Sequence, residues 1–189
     1  MDPAAQDNDA FRMACRYGHA EIVRLLLADP RVDPTVDENY AFRDASYKGH
    51  TEVVRLLLAD GRADPSARDN YAIQWASHKG HTEVVRLLLA DQRVDPTANN
   101  NEALRFATYY CRTEVIRLLL AWYSPPGKRV DPTTKNNFAI RNACVYGRTE
   151  IVQLLLQDPR VDPKEGIQSA RENGHTEIVE LLMQQVRNP

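Results

Sequence analysis

The twelve residues GHTEVVRLLLAD occupy positions 49–60 and return unchanged at 80–91. Four further segments are visibly the same: GHAEIVRLLLAD at 18–29, CRTEVIRLLLAW at 111–122, GRTEIVQLLLQD at 147–158 and GHTEIVELLMQQ at 174–185. A second marker keeps the register. Asp-Pro stands at 2–3, 33–34, 64–65, 95–96, 131–132 and 162–163, so successive copies begin 31, 31, 31, 36 and 31 residues apart. The long interval contains WYSPPGK (122–128), which carries a five-residue insertion, and the last copy lacks four residues ahead of Ile167. A fixed period of this length means stacked supersecondary units, none able to bury its apolar face alone. The copies fall at about 2–32, 33–63, 64–94, 95–130, 131–161 and 162–189 and together form a single repeat domain over 1–189.

Within one copy, 64–94, the pattern resolves into a turn-rich segment and two short helices. DPSARDN (64–70) collects Pro, Ser, Asp and Asn and predicts a loop or hairpin. YAIQWASHK (71–79) has Ala72, Ile73 and Ala76 at helical spacing, with Asp69 or Asn70 available as N-cap, and runs into Gly80, which stops the helix. HTEVVRLLLAD (81–91) supplies the second helix, with Glu83 in its first turn and Arg86 three residues on as a solvent-side ion pair. Helices of roughly ten residues are marginal alone, so each pair has to be sandwiched between its neighbours.

The composition excludes several classes of function. The apolar content of 43% suffices for a core, and a formal net charge of -2 does not predict a polyanionic partner. Cys15, Cys111 and Cys144 are odd in number without paired spacing, which argues against a disulfide framework and for a reducing compartment. No apolar run of about 18 residues appears, and the N-terminal residues lack the basic and apolar regions of a secretion signal. The chain reads as soluble and cytoplasmic, with no membrane contact.

A turn segment, a short helix ending in Gly-His and a second helix reading T-E-V-V-x-L-L-L resemble the ankyrin repeat, over essentially the whole chain. The units are similar to the shortened, divergent ankyrin repeats of large DNA viruses and protists. They depart from the usual pattern in order. Tyr71-Ala72 replaces Thr-Pro, and the helix-one histidine gives way to Arg12, Arg43, Gln74, Arg105, Arg141 and Gln168. Each unit is also two residues short of the common 33, mostly in the hairpin. The resemblance implies an all-α, ankyrin-like α-solenoid of six stacked helix-turn-helix repeats with short hairpin-like loops.

Aligning the copies separates scaffold from variable columns. Phe11, Phe42, Ile73, Leu104, Ile140 and Ile167 form an apolar column, and Ala14, Ala45, Ala76, Ala107, Ala143 and Ala170 an alanine column. Arg171, Glu172, Asn173, Glu180, Gln184 and Gln185 make the last copy a polar C-terminal cap. The first copy has no such rewrite, so its N-terminal face is open to residues 1–9, to a partner, to a second copy, or to the rest of a longer array. The chain is otherwise expected to be a monomer. The variable columns of helix one match positions that line the concave side of ankyrin arrays. They hold Met13, Asp44, Trp75, Phe106, Asn142 and Ser169, and, one turn later, Arg16-Tyr17, Tyr47-Lys48, His78-Lys79, Tyr109-Tyr110, Val145-Tyr146 and Glu172-Asn173.

The resemblance and these columns together imply a protein-interaction module binding a partner protein or peptide on its concave face. The expected contact residues are Tyr47, Lys48, Trp75, His78, Lys79, Phe106, Tyr109, Tyr110, Asn142 and Tyr146, with Asp44, Lys48 and Lys79 as orienting rim charges. Trp122 and Tyr123 of the insertion form a secondary contact. For Trp75 and Phe106, packing between helices is an equal alternative. Two other classes stay open: a structural spacer within a longer array, and a nucleic-acid binder using Arg16, Lys48, Lys79 and stacked tyrosines, against which the near-neutral charge counts.

Catalysis, metal and cofactor have no footing in the sequence. His19, His50, His81 and His175 recur beside the Gly and read as turn hydrogen-bonders, since one His per copy does not converge on a metal. Arg31, Arg62, Arg93, Arg129 and Arg160 read as a ladder of ion pairs that orders loops. No phosphate-binding glycine loop and no nucleophile–base constellation is present.

Overall fold

The computed structural model describes residues 5–124 and 127–187. Met1–Ala4, part of the segment considered as a cover for the N-terminal face, and Pro125 and Pro126 of the insertion lie outside the described residues. The chain divides into two compact units, one ending at Pro96 and one starting at Thr97. The first holds α1 (Ala5–Arg16), α2 (Ala20–Leu27), α3 (Val36–Lys48), α4 (Thr51–Asp60), α5 (Ala67–Lys79) and α6 (Thr82–Ala90). The second holds α7 (Ala98–Tyr109), α8 (Thr113–Ala121), β1 (Tyr123–Ser124), β2 (Lys128–Arg129), α9 (Thr134–Val145), α10 (Thr149–Leu155), α11 (Lys164–Glu172) and α12 (Thr176–Arg187).

Each copy is an antiparallel helix pair, and the pairs stack in register within each unit. In the first unit α1, α3 and α5 make one layer and α2, α4 and α6 the other; in the second, α7, α9 and α11 face α8, α10 and α12. The core is the column set the periodicity predicts. Phe11, Phe42, Ile73, Leu104 and Ile140 are fully buried, as are the six alanines beside them, while helix two contributes Val54, Leu57, Val85, Leu88, Ile116, Leu119, Val152 and Leu155. The Glu83–Arg86 pair forms at 3.2 Å with both side chains half-exposed, worth well under about 1 kcal/mol.

The segment expected as loop or hairpin is a tight left-handed turn. In copies two to five, three consecutive non-glycine residues take left-handed backbone before the right-handed helix one: Asp37, Glu38 and Asn39, then Arg68, Asp69 and Asn70, Asn99, Asn100 and Asn101, and Lys135, Asn136 and Asn137, all with φ between 53° and 65°. Left-handed geometry costs roughly 1–2 kcal/mol per L-residue, so it persists only where other bonds demand it. Two sets do. The Oδ1 of Asn8, Asn39, Asn70 and Asn101 accepts from the backbone N–H of Asp33, Asp64, Asp95 and Asp131 in the following copy, at 2.6–3.0 Å. These asparagines are therefore clamps between copies and not the N-caps their position suggested. The column that departs from the ankyrin histidine closes the turn from the other side. Arg43 donates to the carbonyls of Glu38 and Asp37 at 2.9 Å, Gln74 to Asp69 at 2.6 Å, and Arg105 to Asn100 and Asn99 at 3.3 Å.

The histidines and arginines also bridge copies. Nε2–H of His50, His81 and His175 donates to the carbonyls of Arg16, Tyr47 and Val145 at 3.0 Å, each at the end of the preceding helix one. This approach fixes the glycine. Gly49 has φ +78°, and a Cβ there would lie 2.5 Å from His81 Nδ1. Where the glycine is replaced, at Cys111 (φ 55°), the next copy carries Arg148 in place of histidine. Arg62, Arg93 and Arg160 pair with Asp60, Asp91 and Asp158 and reach across to the carbonyls of Val32, Ala63 and Val130 at 2.8–3.0 Å. The ladder thus ties copies together as well as ordering loops.

At the two ends the structure matches the columns. Arg171, Glu172, Asn173, Glu180, Gln184 and Gln185 are exposed. Ile22 is 49% exposed, whereas its counterparts Val53, Val84, Val115, Ile151 and Ile178 are at most 2% exposed, and Leu25 is 67% exposed.

Two outcomes follow for stability. Cys111→Gly removes left-handed strain from a site without a histidine above it and should raise unfolding stability by about 1 kcal/mol, whereas Gly49→Ala should lower it by about 2 kcal/mol or more through strain and the His81 contact; urea denaturation reads both. The arginine hydrogen bonds lower the pKa values of Asp60, Asp91 and Asp158, and that of Asp29 to about 2. A depressed carboxyl pKa contributes stability that is complete above the ordinary value near about 4 and lost as pH falls through the folded value. The urea midpoint should hold from pH 7 to about 4.5 and drop between about pH 4 and 2, and Asp60→Asn/Asp91→Asn should flatten that drop.

Candidate functional site

The last turns of helix one carry the variable columns, just ahead of the left-handed residue that ends each helix. In the first unit they form a half-buried aromatic cluster centred on Trp75. Its ring lies 5.7 Å from Tyr47, 5.5 Å from Tyr71 and 5.0 Å from His78, and Lys79 Nζ sits 4.7 Å over the Tyr47 ring. Contacts of this kind add about 0.5–1.5 kcal/mol each to burial, so Trp75 is packed as much as presented. Lys48 is exposed, as are Arg16 and Tyr17. Asp44 is not a rim charge. It is half-buried, its Oδ2 is buried without a hydrogen-bond partner, and its charge adds to burial in pushing the Cys15 thiol up to about 12.

The second unit presents its aromatics differently. Tyr109, Tyr110 and Tyr146 are 47%, 41% and 49% exposed. Tyr109 lies 5.0 Å from Tyr110 and 6.1 Å from Tyr146, with ring planes at 73° and 82°. A hydrogen bond with Tyr109, reinforced by their proximity, raises the pKa of Tyr146 above its ordinary value. Phe106 and Asn142 are half-buried beside these columns. Trp122, half-buried, and Tyr123, 53% exposed, belong instead to the two-stranded hairpin after α8, where Arg129 stacks over Tyr123 at 5.4 Å.

A feature absent from the predicted site is the groove of about 400 Å³ between Arg12, Asp37, Glu38, Tyr40, Arg43 and Arg68. Arg12 and Arg43 lie 4.9 and 5.8 Å from the Tyr40 ring, Arg12 pairs with Asp37 at 3.1 Å, and Arg68 pairs with Glu38. The arginine column was legible as a departure from the ankyrin pattern; the carbonyls and ring it serves were not. Cys15 and Cys144 are buried thiols pushed up to about 12 by burial, unsuited to nucleophilic chemistry. Among the described residues no group of three or more His, Cys, Asp or Glu is arranged to hold a metal, and no helix is long and apolar enough to cross a membrane.

Comparison with known proteins agrees with this geometry. A family model described as ankyrin repeats (3 copies) matches residues 2–69 and 42–136. Among solved structures, an ankyrin repeat domain from Acinetobacter baumannii AYE superposes with a TM-score of 0.75 at 23% identity, covering 92% of this chain and 96% of that one. At that identity the likeness speaks to fold alone. None of the curated proteins compared matches the chain. Ankyrin repeats generally mediate protein–protein interaction and are typically non-catalytic. With the stacked helix pairs, the recurring Gly-His turn and a matching family model over more than half its length, the chain belongs to the ankyrin repeat family.

Proposed function

We propose that the chain is a non-catalytic recognition module that binds a partner protein or peptide on the helix-one face, through Tyr47, Lys48, Trp75, His78, Lys79, Phe106, Tyr109, Tyr110, Asn142 and Tyr146. The observation that carries this reading is the exposure of Tyr109, Tyr110 and Tyr146 at 41–49%. Columns free of packing duty have no structural use for three tyrosines, whereas Tyr provides large contact area at low entropy cost and is enriched in binding hot spots. Residues that vary between copies lie on this face, while helix two, which holds the stack together, repeats almost unchanged. The three free cysteines fit a reducing, intracellular setting.

The test is quantitative capture from cell lysate with immobilised protein, comparing wild type, Tyr109→Ala/Tyr110→Ala, and the outer-face control Glu83→Ala/Arg86→Ala, all checked for unchanged helical circular dichroism. Loss of the two tyrosines should lower recovery of a specific protein at least about tenfold, as expected for hot-spot truncations of about 2 kcal/mol, and the control should leave it unchanged. Equal recovery by all three would reject the helix-one face as the binding surface.

A further inference from the structure

Building on the reading that the helix-one face binds a partner, we propose that the Tyr109–Tyr110–Tyr146 cluster receives a cationic side chain, a lysine or arginine in a basic segment of the partner protein. A helix C-terminus carries about half a negative charge on its unsatisfied carbonyls, which cations in the last turn offset. In the first unit every helix one brings its own: Arg16 in α1, Lys48 in α3, His78 and Lys79 in α5. In the second unit α7 and α9 have no basic residue in the last turn. Tyrosines stand there instead, and the next helix one, α11, adds the exposed Glu172 to the same columns.

The first unit also shows what such a tyrosine does when a cation is available. Tyr47 is covered by Lys79 of the following copy, with Nζ 4.7 Å from the ring centroid. Tyr109 occupies the Tyr47 column one unit later, and the position matching Lys79 in the copy after it is Tyr146. The charge that would cap the ring has been exchanged for a second ring at 82° to it, and the Tyr110 ring stands at 73° to the same tyrosine. Near-perpendicular, half-exposed rings are the walls of an aromatic cage, in which an ammonium or guanidinium meets more than one electron-rich face. The arginines that follow these turns, Arg112 and Arg148, sit at the N-cap positions of α8 and α10, outside the last turns of α7 and α9.

The proposal is tested on the full chain with tyrosine rings labelled for two-dimensional NMR, titrated with a capped Gly-Ser-Lys-Gly-Ser-Lys peptide and with counterparts carrying norleucine or glutamate in place of lysine. The lysine peptide should give saturable shifts at the rings of Tyr109, Tyr110 and Tyr146 that weaken with added salt. The counterparts should give none. Tyr146→Leu and, independently, Tyr110→Leu should weaken binding by roughly fivefold, while Tyr146→Phe retains it, because the ring face and not the hydroxyl makes the contact. Equal shifts from the norleucine peptide, preference for the glutamate peptide, or no saturable shift at millimolar lysine peptide would each overturn the proposal. Captured protein that still depends on Tyr109 and Tyr110 under those outcomes would leave the recognition reading standing and remove only its cationic ligand.

Discussion

Within each unit the stack rests on one hydrogen bond, from a left-handed asparagine to the backbone N–H of the aspartate that opens the next copy. Asn8, Asn39, Asn70 and Asn101 all make it, at 2.6–3.0 Å. The three left-handed residues of copies two to five are unfavourable in isolation by several kcal/mol. They are retained because that backbone aims the asparagine at a nitrogen about 25 residues ahead, and because Arg43, Gln74 and Arg105 bind the carbonyls the turn leaves open. The shortened repeat is thereby explained. A turn closed by side chains does not need the two extra residues of a hairpin, and the asparagine replaces the backbone pairing that a hairpin would have supplied.

The insertion tests that order of causes within the molecule. Asn101 and Asp131 are 30 residues apart, five more than the other clamp pairs, yet their bond is 2.9 Å. The additional residues are placed in the β1–β2 hairpin, with Tyr123 opposite Arg129 and Ser124 opposite Lys128. Loop length is adjustable because closing a somewhat longer loop costs only tenths of a kcal/mol, while an unmade bond to a buried backbone group costs about 1–3 kcal/mol. The clamp, and not the length of chain between copies, sets the register.

How much of this the sequence discloses depends on how local each feature is. Helix pairs, the Phe11-to-Ile140 column and the glycine stops are legible because apolar spacing and left-handed glycine act within one turn. The asparagines were misleading for the same reason: beside a helix start they read as N-caps, and their true acceptor role lies in another copy. His50, His81 and His175 likewise read as turn residues until the carbonyls that accept from their Nε2–H groups are traced to the preceding helix one. Asp44 looked like a rim charge because its column varies between copies; its neighbours Arg43 and Ala45 are buried, and its charge acts on Cys15 of the preceding copy, which no single repeat reveals.

The same dependence on the neighbouring copy decides which aromatics can bind. Trp75 and Tyr109 occupy comparable stretches of helix one, yet Trp75 is enclosed by Tyr47, Tyr71 and His78, whereas Tyr109 stands beside two further exposed tyrosines. A conserved helix two keeps the interfaces equal, so a substitution in helix one changes surface chemistry at little cost to the stack. Exchanging a lysine for a tyrosine at one column removes a charge that capped the preceding ring and leaves that ring to a ligand. In an array built from near-identical units, specificity arises where a copy declines to satisfy its neighbour.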